Sequence, residues 1–233
     1  MPGYLERLEM LYGKQKVDIL RNSKVAVFGV GGVGSYVVEA LARSGIGQLD
    51  LFDGDVVAES NLNRQLIATV ETIGMVKTDA AKLRVKQIAP DCIVNGYHLF
   101  YTPQNADSVD LSQYDCVVDA VDFVPAKCEL AVRCESLGVL HISAMGAGNK
   151  LHPEMLELAD IYKTSVCPLA RVMRQQLKKR GVKKLMCVYS RELPRTPKLD
   201  ANGQRCPASN AFVPSAAGLI IASWVVNSLT NEF

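Results

Sequence analysis

The stretch from Lys24 to Asp55 restricts the fold more than any other part of the chain. Lys24-Val25-Ala26-Val27-Phe28 is a short apolar run suited to a buried strand, and Gly29-Val30-Gly31-Gly32-Val33-Gly34 follows at once. From Ser35 to Ser44 apolar residues recur at helical spacing (Val37, Val38, Ala40, Leu41), and Gly45 is the stop signal. Leu49 to Asp53 reads as the next strand, ending on a carboxylate. This is the order of a βαβ nucleotide site, and it predicts an α/β fold: a Rossmann-like, doubly wound, mostly parallel sheet. Gly29, Gly31, Gly32 and Gly34 let the backbone approach a phosphate, and the helix N-terminus offers N–H groups and the positive end of its dipole. Asp53 stands about 20 residues further on, placed to accept from ribose hydroxyls. The motif fits a nicotinamide dehydrogenase as well as an ATP enzyme, so the residues beyond the second strand have to decide.

At 233 residues, 48% apolar and 21% charged, the chain reads as one large globular domain, or one domain with an appendage. Its seven cysteines (92, 116, 128, 134, 167, 187 and 206) are odd in number and form no CxxC pair. That argues against a zinc knuckle or a disulfide framework and for a reducing cytoplasm. Glu6, Arg7 and Glu9 interrupt the start, so no signal peptide is expected. The long apolar stretch from Ala216 to Leu229 is too short to span a membrane and contains Ser223 and Asn227; a helix packed on the core or on a second subunit is expected there. The net charge of +2 hides a contrast. Residues 1–170 hold 15 Lys/Arg and 21 Asp/Glu, whereas residues 171–198 hold ten Lys/Arg against Glu192 alone. A solvated helical face is the ordinary meaning of a charge run, but clustered cations of this skew suit a phosphate backbone.

Around the βαβ unit, Pro2 to Leu20 reads as helical with a break at Gly13, and Arg7 on this segment is, by spacing alone, a surface arginine. Beyond Asp53 come Gly54-Asp55 and then Asn61-Leu62-Asn63-Arg64-Gln65, a polar cluster with no obvious use in a dehydrogenase. In a doubly wound fold, ligands sit beyond the carboxyl ends of strands, which places Arg64 near bound phosphates. Gly74-Met75-Val76-Lys77 opens a helix running to about Ala89. A cation at a helix N-terminus opposes the dipole, so Lys77 calls for a neighbouring anion. Ile93 to Leu99 reads as an edge strand and Tyr114 to Asp119 as a core strand. The latter ends in Asp119-Ala120-Val121-Asp122, a carboxylate pair suited to Mg²⁺, with Asp122 alternatively a cap for the helix at Pro125. Lys127 to Leu137 is helical, Val139 to Ala144 a strand, Gly146 to Gly148 a turn and Met155 to Ile161 a further strand. A basic helix runs from Arg171 to Arg180, then a polar loop from Leu193 to Asn210 containing Cys206.

The ordered set GVGGVG, Asp53-Gly54-Asp55, NLNRQ, GMVK and DAVD resembles the ubiquitin-activating-enzyme-like (ThiF/MoeB/HesA) adenylating family. The resemblance implies that the glycine loop holds ATP phosphates and Asp53 the ribose, with Asp55 beside it. It implies that Arg64 and Lys77 bind the phosphates with Asn63 in support, and that Asp122 binds Mg²⁺. Arg7, six residues before Gly13, is similar to an N-terminal arginine that reaches into the partner's ATP site, which implies a homodimer in which residues 1–20 cross to the partner subunit. LYG near the start, ARSGIG, the run from Asp160 through Arg171, the basic helix and the Ala/Gly-rich C-terminal helix are similar, over nearly the whole chain, to the bacterial branch that dehydrates N6-threonylcarbamoyladenosine in tRNA. That branch implies ATP-dependent cyclisation beside the anticodon through an adenylated threonyl carboxylate. Arg64, Lys77, Asp122 and Arg7 would carry the catalysis, and Arg171, Arg174, Lys178, Lys179, Arg180, Lys183 and Lys184 would contact tRNA. Residues 1–160 would form the ATP-binding adenylating domain, and residues 161–233 would add the basic helix, a loop and a packing helix to the same domain; the reading leaves room for a sulfur-relay partner protein. The alternative is an adenylyltransferase acting on the C-terminal glycine of a ubiquitin-like sulfur carrier. Against it stand the missing CxxC pairs and Phe123, where carrier-protein activators usually have Asn. Cys167, before Pro168, lies where such activators can place a loop cysteine.

Overall fold

Apolar runs buried on both faces form the middle of the sheet. Val25 to Phe28 have no exposed surface, as parallel strands covered by helices on both sides require. The computed structural model describes residues 2–199, 203 and 207–232. The described strands are β1 (Lys24–Phe28), β2 (Gln48–Phe52), β3 (Ile93–Tyr97), β4 (Cys116–Asp119), β5 (Leu140–Ala144), β6 (Leu156–Asp160) and β7 (Met186–Ser190). They form one sheet in the order β3-β2-β1-β4-β5-β7-β6, parallel throughout except for β6, which runs antiparallel to β7. The strand order reverses between β1 and β4, where a doubly wound sheet opens its ligand crevice.

Successive side chains on a strand face opposite ways. Val25 and Val27 of β1 therefore join a core with α3 (Gly34–Arg43), α4 (Lys77–Ile88) and α7 (Val213–Leu229), whereas Ala26 and Phe28 face a second core with α5 (Val124–Leu137). A third core lies between α5, β7 and α6 (Pro168–Lys179). The N-terminal segment is two helices, Glu6–Tyr12 and Lys14–Asn22, broken at Gly13 with φ 82°, as the sequence predicts. The C-terminal helix α7 packs on the core through Ala217, Ile221, Ala222, Val225 and Val226. No described helix is long and apolar enough to cross a membrane.

β7 is not evident from the sequence alone. Met186 to Ser190 lies inside the basic stretch, between Lys184 and Arg191, and the flanking charge conceals a short apolar run with four of its five residues buried. The segment after residue 160 is thus more than an extension carrying a helix, because it supplies a strand between β5 and β6.

Candidate active site

A cleft of about 880 Å³ runs along the carboxyl ends of β2, β1, β4 and β5, across the point where the strand order reverses. The glycine loop forms its floor. Gly29 holds φ 84°, and a Cβ added there would fall 2.7 Å from Ala120 O; at Gly34 it would fall 1.8 Å from Gly29 O. These two glycines let α3 start flush against the ends of β1 and β4. Gly34 itself is buried beneath the loop and does not line the cleft, whereas Gly29, Gly31 and Gly32 do. Val33 precedes α3 with no side-chain cap, and the N–H groups of Gly31, Gly32, Val33 and Gly34 find no acceptor among the described residues. Consecutive unspent amides at a helix start form a concavity for an anion.

Asp53, just past β2, is 9% exposed and ties the loop to the sheet edge. Its Oδ2 accepts from Val30 N–H (2.7 Å) and its Oδ1 from Asp55 N–H (2.9 Å). Lys77, the first residue of α4, is buried, and its Nζ lies 2.6 Å from Asp55 Oδ2 and 3.9 Å from Asp53 Oδ1. The anion that the dipole argument demanded is therefore a carboxylate pair supplied by the chain. Arg64 lies beside Gly32, its Nη1 donating to Ser60 O and Asn63 Oδ1, both at 2.9 Å. Asn63 turns to the rim, donating to Ser209 O (3.0 Å), and does not line the cleft; Asn61 and Gln65 of the same motif do. Gln65 Oε1 is buried and has no partner among the described residues.

The two carboxylates after β4 part company. Asp119 is fully buried: Lys127 Nζ lies 3.0 Å from its Oδ1 and Oδ2, and it also accepts from Ser143 Oγ (2.6 Å) and Val121 N–H (3.2 Å). Its oxygens are spent on the fold, which corrects the reading of Asp119 and Asp122 as a joint metal pair. Lys127 also donates to Val121 O (3.1 Å), pinning the loop that carries Asp122. Nearby, burial pushes the His141 imidazole down to about 4, so it is neutral. Asp122 is exposed, lines the cleft and does not cap α5, whose N-cap is Phe123 without a side-chain bond. Phe100 and Phe123, with ring centroids 6.5 Å apart, and Leu99 add an apolar wall. Sequence reasoning missed Lys127, although it shares the buried stripe of Leu130, Ala131 and Cys134 at helical spacing, a place where an unpaired lysine would be costly.

Beyond β5 the cleft is lined by Gly146 to Lys150, Cys167 and Arg195. The remaining candidates lie elsewhere. Arg7 is exposed on the first helix and does not line this cleft. Arg171, Lys178, Lys179, Arg180, Lys183 and Lys184 are exposed on α6 and the loop after it, Arg180 lying 3.7 Å from Glu129, whereas Arg174 turns inward to Thr164 O (3.0 Å). None of these seven lines the cleft, and Cys206 lies outside the described residues.

Loop amides after β1 that await an anion, facing an unspent carboxylate after β4 across a reversal of strand order, define a nucleotide-binding protein of the doubly wound class. Comparison with known proteins narrows the class. The chain belongs to the ThiF family, which matches residues 5–232. It is 41% identical over 239 residues to the tRNA threonylcarbamoyladenosine dehydratase of Bacillus subtilis (strain 168), covering 97% of this chain and 94% of that one. Its structure is similar to that of E. coli tRNA N6-threonylcarbamoyladenosine dehydratase in complex with AMP (TM-score 0.89, 31% identity, 96% of this chain and 92% of that chain). The same enzyme in complex with ATP gives a TM-score of 0.88 at 30% identity, with 98% and 94% covered.

Proposed function

We propose that this chain is an ATP-dependent tRNA threonylcarbamoyladenosine dehydratase. The observation that carries the reading is the run of unspent amides at Gly31, Gly32 and Val33 facing Asp122 across one cleft, in a chain whose solved relative was crystallised with ATP. The polyphosphate of ATP lies on the glycine loop and the start of α3, its ribose toward Asp53 and its base toward the wall of Leu99, Phe100 and Phe123. Arg64 and Lys77 neutralise the phosphates, and Lys77 exchanges part of its contact with Asp55 for them. Asp122 fits Mg²⁺, which takes one or two carboxylates together with phosphate oxygens and water. The ion's contribution is charge neutralisation on the polyphosphate.

In the first step an oxygen of the threonyl carboxylate attacks the α-phosphorus, the bond from that phosphorus to the bridging oxygen breaks, and pyrophosphate leaves. In the second, a nucleophile within the same threonylcarbamoyl group attacks the acyl-adenylate carbon, closes a ring and expels AMP, which carries away the carboxylate oxygen. No protein nucleophile is required. Catalysis is positioning plus charge stabilisation. The exposed cations Arg171, Lys178, Lys179, Arg180, Lys183 and Lys184 form the tRNA-facing surface, with Arg174 at its inner edge. In the proposed homodimer Arg7 would reach the partner's cleft, and a tRNA substrate fits a cytoplasmic protein.

The test is mass spectrometry of tRNA nucleosides from cells with and without the gene. Loss of the cyclised nucleoside and accumulation of its open precursor is the expected result. Unchanged nucleosides, together with pyrophosphate release that depends on a small carrier protein, would replace this reading with carrier-protein adenylation.

A further inference from the structure

The wall of the cleft beyond β5 is three segments joined by backbone bonds. Asn149 N–H donates to Ala208 O (2.7 Å), Ala208 N–H returns to Asn149 Oδ1 (2.8 Å), and Arg195 N–H donates to Asn149 O (2.8 Å). Asn210 Nδ2 donates to Lys150 O (3.0 Å). Asn149 adopts the left-handed conformation, φ 60°, which Asn tolerates better than most residues. What this wall presents to the cleft is Lys150. Its side chain is 3% exposed, and its Nζ donates to Gly146 O at 2.8 Å. An ammonium has three donors, and the other two find no acceptor among the described residues.

Burial pushes the Lys150 pKa down, opposed by Cys167 and Glu192 nearby. Glu192 does not neutralise it at contact distance, since the carboxylate of Glu192 accepts the N–H groups of Leu151 and His152. An ammonium buried with one acceptor is a costly arrangement unless an anion completes it. Along the sheet edge the order is Asp53 after β2, the glycine loop after β1, Asp122 after β4 and Lys150 after β5. Neighbouring strands lie about 4.8 Å apart, so β5 stands roughly 10 Å from β1. Lys150 therefore lies on the far side of the phosphate loop from the ribose carboxylate.

We propose that Lys150 is the receptor for the free carboxylate of the substrate, holding it at the β5 end of the cleft with one oxygen toward the α-phosphorus. The inference rests on the carboxylate-activation reading above. Lys150 keeps its proton throughout. Adenylation takes the negative charge off the acyl oxygens and leaves it on the phosphate, so the grip of Lys150 on the acyl group loosens as ring closure begins.

The experiment uses the full chain with α,β-methylene-ATP bound. Affinity is measured for an anticodon stem-loop carrying N6-threonylcarbamoyladenosine and for the same stem-loop carrying the threonine carboxamide. A charge-assisted contact of this kind should favour the acid by about 10- to 100-fold in the unmodified protein. That preference should vanish in Lys150→Met and survive in Lys150→Arg, with α,β-methylene-ATP binding retained in both. Equal affinity of the unmodified protein for acid and amide overturns the inference, and so does an acid preference that persists in Lys150→Met. The acid-against-amide comparison needs no variant, so a variant that fails to fold leaves it decisive. Failure of the proposed function reads out separately: the unmodified protein with ATP would release no AMP on the acid-bearing stem-loop.

Discussion

Lys77 opens α4 against the helix dipole, and its neighbours Asp55 and Asp53 make that placement stable. In the proposed role, a cation already held by carboxylates would be positioned before a phosphate arrives, which would reduce the reorganisation needed at the moment of reaction. Asp119 and Asp122 show the opposite division of labour, one carboxylate spent on Lys127 and Ser143, the other free at the cleft. Asp122→Ala should lower ATP turnover about 10²–10³-fold, by analogy with the loss of one transition-state contact, with an unchanged urea midpoint; full turnover at saturating Mg²⁺ would remove Asp122 from the metal site. Lys127→Met should cost about 3–5 kcal/mol of stability, because it strands a buried carboxylate. Adding Asp119→Asn should return part of that loss in denaturant unfolding.

At the scale of elements, α3 is held from two sides. Arg84 of α4 makes two bonds of 2.9 Å to Glu39, and Arg43 adds one of 2.8 Å. Burial alone would raise the Glu39 carboxyl, but the two guanidiniums outweigh it and hold it below the ordinary value of 4.5. A carboxylate whose folded pKa is depressed stabilises the fold above its unfolded pKa and loses that contribution as pH falls through the folded one. Glu39→Gln should therefore be less stable than the unmodified chain by about 1 kcal/mol at neutral pH, a figure discounted for the exposed arginine ends. The gap should close as the pH drops below 4.5 in paired urea titrations. On its other side α3 meets α7 so closely that a Cβ on Gly218 would lie 2.4 Å from Val33 O. Gly218→Val should cost at least about 1–3 kcal/mol in thermal or chemical unfolding, as overpacking of a close contact does.

For the whole molecule, the separation of Arg7 and the basic helix from the cleft makes assembly the deciding variable. If Arg7 serves the partner's cleft, Arg7→Ala and Asp122→Ala subunits, each inactive alone, should regain about a quarter of full activity when unfolded together and refolded, since random pairing makes half the dimers mixed with one complete site each. No recovery would confine Arg7 to its own subunit. Reversing Lys178 and Lys179 to Glu should weaken tRNA binding and flatten its dependence on log salt by about 1–2, because each lost phosphate contact releases one counterion fewer. An unchanged slope would take this surface out of the tRNA path.

The βαβ unit, the glycine loop, Asp53 and the order of the later motifs were legible because each is local: period, turn chemistry and strand-end position act within a few residues of chain. Lys77 was half legible, since the dipole argument predicted an anion but not that Asp55 would be it. What the residues alone did not disclose lies in contacts between distant segments. Asp119 and Asp122 have the same side chain three positions apart, and only packing against Lys127 and Ser143 separates structural from free. β7 was hidden among cations because its burial comes from β5 and β6, not from its own pattern. Lys150 reads as an ordinary lysine after a turn until segments 194–197 and 207–210 close over it. Short-range sterics and periodicity thus determined the class of fold and the glycine loop, whereas burial, which sums over the whole chain, decided which charges are spent within the fold and which are left at the cleft.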